Sequence, residues 1–281
     1  MTDEAPTTAL LERVLAPAAE VLIVEAPPSD LGRAGAARVV VSGAEISELA
    51  RLLAVVDGGT GDRCRCLGWP TIVVSDAGGH EIARWTLHHQ TGIRGLGYCD
   101  AELRDGPALT DWLAARGLTG SLRAQRMLAR QDAEAEKRRV RWVEAAPPGL
   151  AEAAEAASRR EAGAEESLAA LVRSRYPDAV ERIRTLAAWA GFPPRQPSGI
   201  PWHELAPERL LLTEPAESIF KALASAPLTP EQLDGAAELF TSTAWTRARR
   251  ARIPRSLRSS LIAHVTATGT DPMKFRIASG F

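Results

Sequence analysis

The chain has 281 residues, 45% of them hydrophobic and 25% charged, with a formal net charge of −1. These totals belong to a globular protein and exclude disordered, collagen-like and disulfide-scaffold chains. Three cysteines are too few for a disulfide framework, Asp3 and Glu4 precede any basic residue where a secretory signal needs the reverse, and no apolar run is long enough to cross a bilayer. A cytoplasmic protein with no membrane partner is expected.

Taken in chain order, residues 7–23 read as an amphipathic helix carrying Leu10, Leu11, Val14 and Leu15, interrupted by Pro17. Residues 37–41 form a β-branched run and predict a strand. Ser42 with Glu45 three residues on predicts a capping box for a helix whose stripe is Ile46, Leu49, Leu52 and Leu53, ending at Gly58-Gly59. The period then changes. Residues 63–67, 71–75 and 82–88 predict three strands of an antiparallel meander, punctuated by Gly68-Trp69-Pro70 and by Asp76-Ala77-Gly78-Gly79. Leu109, Trp112 and Leu113 mark a closing helix with Gly117 as its stop.

Residues 122–140 are polar and free of glycine and proline, which predicts an exposed or bridging helix with a Glu134–Arg138 pair. Pro147-Pro148 marks a boundary. Beyond it the sequence shows only helices, over 150–176, 179–189, 206–212, 217–224, 230–240 and 256–266, with a proline-rich loop at 192–201. The expected fold class is therefore α+β: a small antiparallel sheet with flanking helices over 1–120, a connecting helix over 121–145, and an all-helical domain over 146–281.

The chemically suggestive residues fall into three groups. The first is Cys64 and Cys66 with His88, His89 and Cys99. On an extended segment Cys64 and Cys66 share a face, whereas adjacent His88 and His89 point to opposite faces, so only one histidine joins the cysteines. Cys64, Cys66, one histidine and Cys99 supply the four donors of a tetrahedral zinc site. The Cys-x-Cys spacing departs from the usual knuckle, and the competing reading is that the thiols pack a sheet face. A Cys–His nucleophile pair, its thiol activated by Arg65 or Arg94, lacks a third member. The sequence nominates no catalytic residue.

The second group is an arginine tail. Residues 1–120 carry a balance of −6 and residues 240–281 a balance of +7. Arg247 with Arg250 and Arg255 with Arg258 are spaced to share helix faces and to meet phosphates, so nucleic acid is a possible partner on charge alone. The third is tryptophan. Trp112 and Trp189 lie on apolar stripes and read as core; Trp202, beside His203 in the proline-rich stretch, either wedges helices apart or lines a recognition groove.

Arginine outnumbers lysine 31 to 3 in a chain high in alanine, glycine and proline, the usage of a GC-rich bacterial genome. The run Cys64-x-Cys66-x-Gly68, the His88-His89 pair with Gly92 and Arg94, then Asp100 and Trp112-Leu113, resembles a pattern in uncharacterised two-part proteins of actinobacteria and myxobacteria. The resemblance extends to Trp189, Gly199, Pro201 and Glu204 and implies that the two halves belong to one architecture; it implies no activity. The sequence thus favours a non-enzymatic binding or adaptor role with a peptide or protein partner and no cofactor. A zinc protein or enzyme built on Cys64, Cys66 and His88 or His89 is the alternative, and a nucleic-acid binder using the arginine tail is the third.

Overall fold

Six strands build one antiparallel sheet: β1 (Glu20–Val24), β2 (Arg38–Ser42), β3 (Thr71–Ser75), β4 (Glu81–His88), β5 (Gly92–Arg94) and β6 (Ala101–Glu102). Their spatial order is β2-β1-β3-β4-β5-β6. The computed structural model describes residues 3–61, 65–192, 200–248 and 252–278. The chain divides into two compact units, Met1–Ala133 and Glu134–Phe281, and the fold class is α+β as expected. Among the described residues no helix is long and apolar enough to cross a membrane.

The pleat sorts residues onto two faces. Val41, Val21 and Val74 lie in one cross-strand row, with Ile23, Ile72 and Trp85 in the next and Leu87 and Ile93 beyond. All are buried with Leu10, Leu11 and Leu15 of α1 (Thr8–Leu15), Ile46 and Leu49 of α2 (Ala44–Leu52), and Leu109, Trp112 and Leu113 of α3 (Gly106–Ala115). The opposite face carries Thr86 and His88, with Arg94 paired across from Thr86 and Gly92 from His88. One face is therefore core, and the other is available for chemistry.

Several expectations need correction. The first helix stops at Leu15, and Glu20–Val24 is a strand. It pairs with β2 on one side and β3 on the other, so ladder hydrogen bonds claim a run rich in valine and isoleucine that helical spacing had absorbed. Ser42 ends β2 and does not cap α2; Gly43, at φ +58°, precedes that helix with no side-chain cap. Residues 65–67 form no strand, and 62–64, including Cys64, lie outside the described residues.

The long polar helix is α4 (Gly120–Glu144), whose first amide donates to Glu25 Oε1 at 2.5 Å. A carboxylate at a helix N-terminus satisfies an orphan donor and complements the dipole. The Glu134–Arg138 pair does not form. Glu134 binds Lys137 at 2.8 Å, while Arg138 is buried against Glu204.

The predicted helix over 150–176 is two, α5 (Ala151–Ser158) and α6 (Ala164–Arg175), separated where Arg160 takes φ +57° and Gly163 φ +72°. They are followed by α7 (Ala179–Ala190), α8 (Ala206–Thr213), α9 (Ala216–Ala224), α10 (Pro230–Thr241), α11 (Thr243–Ala248), α12 (Arg255–Thr268) and α13 (Asp271–Ala278). Their common core is centred on α7, which packs against α8, α9 and α10. Trp142 stacks on Trp189 with centroids 4.7 Å apart, both buried. The predicted loop at 192–201 lies almost wholly outside the described residues, at 193–199.

Candidate metal centre

The site begins with the turn between β4 and β5. His88 and Gly92 form the last paired rung, and the Thr91 amide donates to the His88 carbonyl at 3.2 Å. Between them His89 has φ +50° and Gln90 φ +63°. Two consecutive left-handed residues closed by an i to i+3 bond make a type I′ turn, a geometry that usually selects Asn-Gly. Holding side chains there costs about 1–2 kcal/mol per residue. The expectation that strand alternation separates His88 from His89 fails for this reason: the strand ends at His88, and His89 belongs to the turn. The two rings meet edge to face with centroids 4.1 Å apart.

Cys66 arrives from a segment laid along β4. The Trp69 amide donates to the Leu87 carbonyl at 2.8 Å, the Leu87 amide to the Pro70 carbonyl at 3.1 Å, and Thr86 Oγ1 to the Leu67 carbonyl at 3.2 Å. Gly68 makes this approach possible. Its φ is +72°, and a Cβ there would lie 2.6 Å from the Leu87 carbonyl oxygen and 2.7 Å from Thr86 Oγ1. Gln90 closes the loop by donating Nε2 to the Trp69 carbonyl at 3.0 Å. Consequently Cys66, His88 and His89 each offer one ligand atom, all within 4.8 Å of one another.

Arg94 and Asp100 lie beside this trio. Arg94 donates Nε and Nη2 to the two oxygens of Asp100 at 2.8 and 2.6 Å, and Nη1 to the Cys66 carbonyl. His88 Nε2 lies 3.9 Å from Asp100 Oδ2. A cavity of about 230 Å³ opens beside His88, lined also by Thr60, Asp100 and Glu102.

The remaining predicted site residues disperse. Cys99 is buried elsewhere, its sulfur against Gly59, where a Cβ would come within 2.5 Å of it; it is not in the ligand group. Cys64 lies outside the described residues, as does Arg250. Arg247 is exposed on α11, and Arg255 and Arg258 are exposed on α12. Trp202 is 39% exposed, so it is no buried wedge; the guanidinium carbons of Arg209 and Arg160 lie 4.0 and 4.9 Å from its ring centroid.

His203 packs its ring edge to face with Trp142 at 5.2 Å. Burial pushes its pKa below the usual 6.5, against the opposing pull of Glu204. A histidine whose folded pKa is depressed binds fewer protons native than unfolded, so it leaves stability intact above pH 6.5 and erodes it as pH falls below that value. Replacing His203 with phenylalanine keeps the ring and removes the titration. Urea midpoints are expected to fall less between pH 7 and 5 in the variant than in the wild type; parallel slopes would show that His203 does not contribute.

Sequence reasoning missed Gln90, which ties the turn to the Cys66 segment, and the Arg94–Asp100 pair beside His88. The only signal available was the glycine two residues after Cys66, which marks a close backbone approach without naming its partner. The chain matches no protein-family model, no curated protein and no solved structure.

Proposed function

We propose that the front unit is a metal-binding module, with zinc as its ion, held by the Cys66 thiolate and the imidazoles of His88 and His89. The observation that carries this reading is the convergence of three ligand atoms within 4.8 Å on a turn held in an unfavourable backbone conformation. Strain retained in a folded chain marks positions where a side chain is needed more than local comfort. One thiolate and two imidazoles suit a borderline-soft ion of flexible geometry. The binding or adaptor role favoured by the sequence rested on a missing catalytic signature, the helical domain and the charge asymmetry, none of which names a ligand, whereas the thiol–imidazole cluster does.

Three donors leave a tetrahedral ion one position for water or a substrate; a fourth from Cys64 closes it as a structural site. Metal analysis of protein purified without chelators is expected to find about one zinc per chain, and Cys66→Ser to lose it. Cys64→Ser separates the two forms: retained zinc means an open site, lost zinc a closed one. His89→Gly removes a ligand and relieves about 1–2 kcal/mol of turn strain, set against about 0.4–1 kcal/mol of extra unfolded-state freedom. The metal-free variant is therefore expected to be as stable as wild type or slightly more so, while binding zinc more weakly. Wild-type protein that neither carries nor takes up zinc would overturn the proposal.

A further inference from the structure

Beside the three candidate ligands stands an ion pair whose carboxylate is buried. The Asp100 side chain is only 6% exposed, and Arg94 grips both of its oxygens. A carboxylate removed from water to this extent requires such compensation. The same guanidinium donates to the Cys66 carbonyl, so the sulfur-bearing residue and the carboxylate are both braced by Arg94. Arg94 comes from β5, next to the histidine turn, and Asp100 immediately precedes β6.

His88 faces this carboxylate. Its Nε2 is shielded from solvent and has no hydrogen-bond partner among the described residues. A buried polar nitrogen left without a partner bears its desolvation cost with nothing in return. Asp100 Oδ2, at 3.9 Å, is about 1 Å beyond an ordinary hydrogen bond. Asp100 is not itself among the converging ligand atoms.

We propose that Asp100, clamped by Arg94, is the positioning residue for His88: its carboxylate accepts a hydrogen bond from the Nε2–H and fixes the tautomer whose other ring nitrogen faces the ion. Ligating histidines are commonly oriented by such an acceptor, and its loss weakens metal binding about 10–100-fold. The inference rests on the metal reading above and assigns Asp100 and Arg94 a role within it.

The test uses the full chain, with zinc affinity measured by chelator competition and cobalt(II) as a spectroscopic substitute. Asp100→Asn is expected to bind zinc about 10–100-fold more weakly and to shift the cobalt bands, with Asp100→Glu recovering part of both. Arg94→Lys, which keeps charge but loses the two-point grip, is expected to weaken binding in the same direction. Imidazole-nitrogen NMR of the zinc-loaded wild type is expected to show His88 with Nε2 protonated, a readout that stands even if Asp100→Asn fails to fold. A folded Asp100→Asn with wild-type affinity and spectrum, or a zinc-bound Nε2, overturns this inference while leaving the metal site in place. Absence of zinc binding in the wild type overturns both, and the wild-type arm alone reveals it.

Discussion

Replacing Glu204 with alanine is expected to destabilise the back unit by about 3–5 kcal/mol, among the largest effects of any single substitution in the chain. Arg138 donates Nε and Nη2 to the Glu204 carboxylate at 2.5 and 2.7 Å, and both side chains are 4% exposed. Removing the acid takes away the carboxylate that offsets the charge of a buried guanidinium, which cannot shed its proton. At about 2–4 °C per kcal/mol, the transition followed by tryptophan fluorescence should fall by roughly 10 °C. The attraction within such a pair mainly repays the cost of taking two ions out of water. Arg138→Met combined with Glu204→Leu should therefore recover most of the loss. A double variant as unstable as Glu204→Ala would show that the pair contributes net stability, and the desolvation account would be wrong.

Gly235→Ala is expected to cost about 3 kcal/mol or more, although alanine is the better helix former by about 1 kcal/mol. The reason is the crossing of α7 and α10. A Cβ at Gly235 would lie 1.8 Å from the Ala187 carbonyl oxygen, and one at Gly191 would lie 2.0 Å from that of Glu231. Both obstacles are backbone, so no side-chain rotation relieves them. Accommodating the methyl group must part the two helices and loosen the buried Ala236, Ala237 and Leu186 around them. Thermal unfolding of the variant checks the sign. A rise in melting temperature would mean that helix propensity outweighs packing here and that the helices separate at little cost.

Much of the architecture is legible in the residues. A β-branched run located β3 and period-two alternation β4, although the same alternation over 65–67 marks no strand; apolar stripes located most of the helices, and Asp76 to Gly79 announced the hairpin. Other elements were hidden by the physics that creates them. β1 owes its conformation to partners on both sides, a non-local cause that a run beside a helical stripe does not display. β5 and β6 are three and two residues long, below any periodic signal. The break at Arg160 puts an arginine where glycine is the usual indicator.

The candidate site shows the same division. Cys66, His88 and His89 were selected on residue type alone. Their convergence depends on a type I′ turn written in His-Gln, a dipeptide that does not advertise one. Arg138 was assigned to an exposed pair because local spacing outvoted a partner 66 residues away.

In the proposed zinc site, the ties that fasten residues 67–70 and Gln90 to the end of β4 would bear on how fast the ion is captured. With sulfur and both imidazoles already gathered, uptake asks for reorientation of side chains, a picosecond-to-nanosecond motion when exposed, and for little rearrangement of the main chain. The protein would answer to fluctuations in free metal without first having to refold around it.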